Sequence, residues 1–221
     1  MGMLACGKVR DMRNCKVQRL IVGDYQENCY LVQNNETKEL FIVDPGADAY
    51  RISMVLERLG GVLRGILLTH GHHDHIGAVE ALRSQGDIPV YALKEEEGLL
   101  LDPTENLSGM HFDSLSIHTD RLLNDKEVFD LAGIQVQVIA TPGHTAGSCC
   151  YYLEKEKILF SGDTLFQGSI GRSDLPTGDE ETLIRSIKKK LMTLPDDTAV
   201  LPGHGGYSRI DLERMQNPFL L

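Results

Sequence analysis

Short apolar runs with period-two alternation dominate the first fifth of the chain. Residues 17–22, 28–33 and 39–43 are β-prone and are separated by turn residues such as Gly23 and Asn34-Asn35, which predicts an antiparallel meander. Asp44-Pro45-Gly46 stops the third run. Ile52, Val55, Leu56 and Leu59 then recur at i, i+3, i+4 and i+7 ahead of Gly60-Gly61, the pattern of an amphipathic helix with a glycine stop. Residues 65–69 read as a fully buried strand, followed by a polar, histidine-rich turn and a helical stretch through Ile76, Val79 and Leu82. Another strand is expected at 89–93. The pattern is weakest over 94–120, where Pro103, Gly109 and scattered polar residues predict helix, loop and cover. From there the β signal returns at 128–131, 134–140, 149–153 and 158–161, as hairpin-like neighbours. A last long helix is expected over 179–194, with Thr177 and Glu180 as a capping box, acids in its first turn and Lys188 to Lys190 in its last. Its buried face is Leu183, Ile187, Leu191 and Leu194. A strand at 199–201 leads into Pro202-Gly203-His204 and a short closing helix.

No linker or internal repeat interrupts this order, so 221 residues with 42% apolar and 24% charged positions predict one domain over 17–221. The polar, basic segment 1–16 reads as a flexible leader. Lys plus Arg (22) against Asp plus Glu (32) leaves a net charge of −10, which repels phosphate backbones and anionic lipid. Nucleic acid and membrane are therefore not expected partners, and no apolar run approaches the roughly 18 residues of a membrane span. Five cysteines, with Cys149 beside Cys150, do not form a disulfide framework, and a reducing cytoplasm is expected.

The candidate chemistry lies in the histidines. Four of the eight fall in Thr69-His70-Gly71-His72-His73-Asp74-His75, directly after a buried strand. His70 and His72 project the same way from an extended segment, while Asp74 and His75 reach a second point once the backbone bends into a helix. One loop can thus serve two adjacent cations. Neutral imidazole with carboxylate suits zinc, iron or manganese, and a catalytic site keeps a position open for water. The alternative, a histidine-rich surface turn that binds nothing, is disfavoured because several buried imidazoles need partners or a metal. His144, Asp163 and His204 each follow a predicted strand in a glycine-containing turn, which holds a side chain at a strand end. His111 and His118 lie outside every motif and read as surface or packed residues.

Taken together, H-x-H-x-D-H, Gly143-His144, Gly162-Asp163 and Gly203-His204, in that order and spacing, resemble the metallo-β-lactamase-fold hydrolases. The resemblance implies an α/β (α+β) fold, a four-layer αββα sandwich with the site on loops at one edge of the paired sheets. It implies two divalent metal ions, one bound by His70, His72 and His144, the other by Asp74, His75 and His204, with Asp163 bridging; His73 is a bystander. Thr69 to Gly77, and Ser161-Gly162-Asp163-Thr164-Leu165-Phe166 followed by Gly168 and Gly171-Arg172, are most similar to the glyoxalase II-like (hydroxyacylglutathione hydrolase) subgroup. That makes Arg172 a candidate handle for the substrate's carboxylate; a salt bridge to Asp174 or Asp179 is the competing reading. After His204 only residues 205–221 remain, in place of the subgroup's C-terminal helical domain, and Gly205-Gly206-Tyr207 replaces an acid and a tyrosine. A short, single-domain form with a more open pocket is expected.

The resemblance therefore implies a small-molecule thioester substrate, cleaved by a metal-bridging hydroxide with Asp74 and Asp163 as the catalytic carboxylates and zinc as the expected metal. A thiol leaving group with a pKa of about 8.5 needs little proton donation, which fits a constellation without an evident general acid. Two alternatives stay open: a persulfide dioxygenase of the same superfamily, using one Fe(II) held by His70, His144 and Asp163, and a non-catalytic metal-binding protein.

Overall fold

The computed structural model describes residues 9–11, 14–110 and 114–221. One sheet takes up the N-terminal half in sequence order: β1 (Val9–Asp11), β2 (Cys15–Val22), β3 (Glu27–Asn34), β4 (Leu40–Val43), β5 (Leu63–Leu67), β6 (Val90–Leu93) and β7 (Arg121–Leu123). The first four pair antiparallel, as the meander predicts, and β4 to β7 pair parallel. Parallel neighbours need crossover connections. These are α1 (Ala49–Leu59), the short helices α2 (His73–Ile76) and α3 (Val79–Arg83), and a 3-10 turn, Lys94–Glu96, running into α4 (Glu97–Leu101). Of the expected leader, residues 9–11 form an edge strand against Lys16 to Gln18, Cys15 opens β2, and residues 1–8 and 12–13 lie outside the described residues.

The second sheet is built from β8 (Val128–Leu131), β9 (Ile134–Ala140), β10 (Cys149–Leu153) and β11 (Ile158–Gly162). After a small hairpin, β12 (Leu165–Phe166) and β13 (Ser169–Ile170), come β14 (Ala199–Pro202) and β15 (Ser208–Arg209). The spatial order is β15-β14-β11-β10-β9-β8, with β14 parallel to β11. The connection into β14 is α5 (Glu180–Ser186) and a π-type turn, Ile187–Leu191; α6 (Ile210–Gln216) closes the chain.

Both faces of each sheet are covered, which is why the central strands read as continuous apolar runs. In β10, Cys149, Tyr151 and Leu153 point into the layer between the sheets, with Val32, Phe41, Leu67, Val138 and Phe160. Cys150 and Tyr152 point outward, against Leu183, Ile187 and Leu191 of the C-terminal helical segment. On the other side Leu31, Ile42 and Ile66 meet Ile52 and Val55 of α1 and Val79 and Leu82 of α3. The result is the expected αββα sandwich. Among the described residues no helix is long and apolar enough to cross a membrane.

Three local expectations are corrected. The cap before α5 is Asp179, whose carboxylate accepts the Thr182 N–H at 2.7 Å. Thr177 instead has a positive φ of 65° and its hydroxyl accepts the Ala146 N–H, so it braces the loop after β9 rather than starting the helix. The helix expected through 194 gives way at Ile187 to the π-type turn, whose Lys190 bonds Asp125 and the Ala140 carbonyl. The helical stretch after the histidine turn is likewise broken at Gly77-Ala78 into α2 and α3.

Phe160 is buried in the central layer with its ring centroid 5.2 Å from that of Tyr30, across the two sheets. Phe160→Ala is expected to cost about 3–5 kcal/mol of unfolding free energy, read as a lowered urea midpoint. A loss below about 1 kcal/mol would show that this layer is not the packed core that joins the sheets.

Candidate metal centre

Four loops bring the seven predicted ligands to one edge of the sandwich. The turn after β5 carries His70, His72, Asp74 and His75; the ends of β9, β11 and β14 supply His144, Asp163 and His204. His70, His72, His75 and His144 are buried, while Asp74, Asp163 and His204 are half-buried and face a groove. The groove, of about 620 Å³, is walled by Tyr25, Leu107, Phe166, Ile170 and Leu175, with Arg172 at its rim.

Donor atoms of His70, His72 and His144 lie within 4.8 Å of one another, as do those of Asp74, His75 and His204, and of His70, His75 and Asp163. In the first set His72 Nδ1 is 3.0 Å and His70 Nε2 3.2 Å from His144 Nε2. Nitrogens bound to one tetrahedral zinc at about 2.0–2.1 Å are separated by about 3.3 Å, so the three lone pairs already converge as a cation requires. In the second set His204 Nε2 is 3.2 Å and His75 Nε2 3.9 Å from Asp74 Oδ2. Asp163 stands between the sets, its Oδ1 3.4 Å from His75 Nε2 and its Oδ2 3.7 Å from His144 Nε2. The residues present therefore fit two divalent cations.

Partners on the far side of the ring set the tautomers of His75, His144 and His204. His144 Nδ1 donates to the Arg172 carbonyl at 2.6 Å and His204 Nδ1 to the Tyr25 carbonyl at 3.2 Å, which leaves both Nε2 lone pairs facing inward. His75 Nδ1 donates to Asp44 at 3.1 Å. Asp44 also accepts the Thr69 N–H at 2.7 Å and its hydroxyl at 2.6 Å, so one buried carboxylate aims both ends of the histidine turn. Backbone proximity is part of the design. Any Cβ on Gly203 would collide with Asp163 Oδ1 and the His75 ring.

Charge is distributed unevenly. Burial, together with neighbouring imidazoles, holds His70 well below the usual histidine range and lowers His72 to about 3; burial also lowers His144. These three stay neutral, the form that ligates metal. His75 is pushed the other way: burial works against its charge, but Asp163 and Asp74 outweigh it. In turn His75 pulls Asp163 down to about 2 and Asp74 well below the carboxylate range, in both cases against burial. Burial pushes Glu27 well above its usual value, and it pushes Glu96 up to about 7 against the backbone and hydroxyl donors that bond it.

Outside the seven ligands, Arg172 lies at the groove with its Nε and Nη2 held by Asp174 at 2.7 and 2.8 Å. His73 packs edge-on to Tyr25 at 5.0 Å and lines the groove. His118 is exposed, and His111 lies outside the described residues. Sequence reasoning missed Asp44, treated only as a strand stop, and Glu96, hidden in the acidic run Glu95-Glu96-Glu97. Asp44 had a signal: it ends a strand next to the one that bears Thr69.

The chain matches the family model of the metallo-β-lactamase superfamily over residues 22–204. It is 40% identical over 207 residues to a probable metallo-hydrolase, YqgX, of Bacillus subtilis, covering 93% of this chain and 97% of that protein. It is 38% identical over 208 residues to the hydroxyacylglutathione hydrolase GloC of Haemophilus influenzae, covering 92% and 97%. Among solved structures, the BLEG-1 B3 metallo-β-lactamase superposes with a TM-score of 0.87 at 41% identity, covering 92% of this chain and 99% of that one. TTHA1623 in a di-iron-bound form superposes with a TM-score of 0.81 at 36% identity, covering 91% and 99%. Together with the sandwich and its edge site, these matches establish that the chain belongs to the metallo-β-lactamase superfamily.

Proposed function

We propose that the chain is a dinuclear metallohydrolase that cleaves a thioester of the S-acylglutathione type or of a related small thiol. The observation that carries this reading is the pair of ligand sets flanking Asp163 on the floor of an open groove. His70, His72 and His144 would hold one metal and Asp74, His75 and His204 the other, with the Asp163 carboxylate, which stands between the two sets, serving both. The near end-to-end match to a hydroxyacylglutathione hydrolase supports the substrate class. Zinc is the metal we assign, and the di-iron form of a 36% identical protein supports iron as its substitute. Buried free Cys15, Cys29, Cys149 and Cys150 support a reducing, cytoplasmic setting, and the charge of −10 supports a small-molecule partner over nucleic acid.

Divalent metals bound at this centre supply a hydroxide nucleophile near neutral pH and polarise the substrate carbonyl. The chain's own groups set the geometry. Asp74, ionised and facing the groove, orients the attacking water, and the inward lone pairs of His144 and His204 are fixed by their carbonyl partners. Phe166, Ile170 and Leu175 wall the reacting end against bulk water. A departing thiolate with a pKa of about 8.5 leaves without an acid. Arg172 has five N–H donors, and Asp174 engages its Nε and Nη2, which leaves the Nη1 donors for a substrate carboxylate.

Elemental analysis of untagged protein is expected to give two divalent metals per chain, with metal-dependent hydrolysis of S-D-lactoylglutathione. About one iron per chain, with oxygen uptake on glutathione persulfide and no hydrolysis, would replace this reading with a dioxygenase. Asp163→Ala is expected to lower metal content and to reduce kcat/KM by more than the roughly 10–100-fold that loss of a ligand's outer partner costs. Turnover at the wild-type rate would sink the bridging role. Arg172→Ala is expected to raise KM for S-D-lactoylglutathione with kcat unchanged, the mark of lost uniform binding, and an unchanged KM would remove Arg172 from the substrate site.

A further inference from the structure

Glu96 is 1% exposed and belongs to the 3-10 turn after β6, an element that contributes no ligand. Its Oε1 accepts the Gly71 N–H at 2.8 Å, and its Oε2 accepts the Gly147 N–H at 2.9 Å. The Thr145 hydroxyl reaches both oxygens at 2.9 Å. Gly71 is the residue between His70 and His72, and Thr145 follows His144. One buried carboxylate therefore spans the two loops that carry the three-histidine set. The surroundings were shaped for this contact: a Cβ on Gly147 would collide with the backbone of Glu95 and Glu96, and Leu99 and Leu100 press on Gly71. Asp44, by contrast, touches both halves of the centre: it bonds His75, and it bonds Thr69, whose hydroxyl lies 3.2 Å from His70 Nδ1.

We propose that Glu96 is a positioning residue dedicated to one of the two metals, clamping the His70–His72 turn to the His144 turn so that their three nitrogens stay convergent. The inference rests on the dinuclear reading above. Its physical basis is the cost of letting the loops part. Each N–H here is buried, and losing its charged acceptor costs more than a neutral hydrogen bond is worth. With both oxygens occupied by donors, the carboxylate holds a fixed separation between two chain segments distant in sequence. A glutamine of the same shape cannot do this, because its NH₂ has no lone pair for an amide N–H. One of the two loops is then released.

The test is a Zn²⁺ titration of metal-free protein against a chromophoric chelator at 25 °C, with the full chain. Glu96→Gln is expected to weaken one of the two binding events by about 10–100-fold and to leave the other within about threefold. In a His72→Ala background, where the three-histidine set is already broken, adding Glu96→Gln is expected to change the remaining affinity by less than about twofold. Asp44→Asn, which loosens Thr69 beside His70 as well as His75, is expected to weaken both events. A purely structural role would lower the melting temperature and move both affinities together, or neither; either result overturns the inference. Thr145→Val, which deletes only the hydroxyl that bonds both oxygens, is the second variant should the glutamine protein fail to fold, and it is expected to act in the same direction. A wild-type stoichiometry of one zinc would overturn the dinuclear reading by itself. The clamp would then fail only if Glu96→Gln left that single affinity unmoved.

Discussion

The site depends on hydrogen bonds that stitch the ends of the two sheets together along one edge. Tyr151 in the second sheet donates its hydroxyl to the Leu68 carbonyl of the first at 2.8 Å, and the Cys149 N–H reaches Thr69 O at 2.9 Å. On the other flank Tyr30 and Asn28, from β3, donate to the Pro202 carbonyl, and the Asn28 N–H donates to Gly203. The loops bearing His70 to His75 and His204 leave the sandwich within two residues of these bonds, the His144 loop re-enters it at Cys149, and Gly162, before Asp163, accepts the Gly203 N–H at 2.8 Å. Apolar packing between sheets is non-directional and fixes their separation only loosely. Directed bonds at the edge convert two stacked layers into a frame whose strand ends hold a fixed relation, which the convergence of side chains from four loops requires.

Within that frame the centre divides into electrostatically distinct halves. His70, His72 and His144 are kept neutral by burial and by one another, so a cation bound there keeps its full charge. His75 and His204 lie beside Asp74 and Asp163, and each is raised above the usual histidine range by those carboxylates. This second half alternates imidazole with carboxylate, and a cation bound there would compete with protons. The buried acids behind the ligands are also unequal. Asp44 bonds His75 and Thr69, at both ends of the histidine turn, whereas Glu96 bonds only the loops of the three-histidine set.

Much of this was legible in the sequence because strands buried on both faces, and polar side chains set one to four residues past a strand end, leave local signals. The meander and the α1 periodicity stand where the pattern put them, and the seven candidate ligands come together at one edge of the sheets. What was not legible acts across long sequence separations. Glu96 bonds Gly71 and Gly147, 25 and 51 residues away, and in a run of three glutamates nothing distinguishes it from a solvated face. Asp179 displaced Thr177 as helix cap because Thr177 is engaged by Ala146 across the loop, a tertiary contact that local capping preference does not include. β7 is only three residues long, and two of them are exposed, so it lacked the alternation that marks a strand.

The same division between edge and cover separates chemistry from selectivity. The candidate ligands sit just past strand ends that are bonded into the frame. The groove walls come from other parts: Tyr25 from the β2–β3 turn, Leu107 and Met110 from the weakly patterned cover, and Phe166 and Ile170 from the β12–β13 hairpin. Two groove-lining residues are tied to candidate ligands: the Tyr25 carbonyl receives His204 Nδ1–H and the Arg172 carbonyl receives His144 Nδ1–H. Their backbones thus serve the candidate metal centre while their side chains line the groove. The centre is therefore set by the strand ends of the two sheets together with these two loop carbonyls, whereas the rest of the groove wall is loop and hairpin.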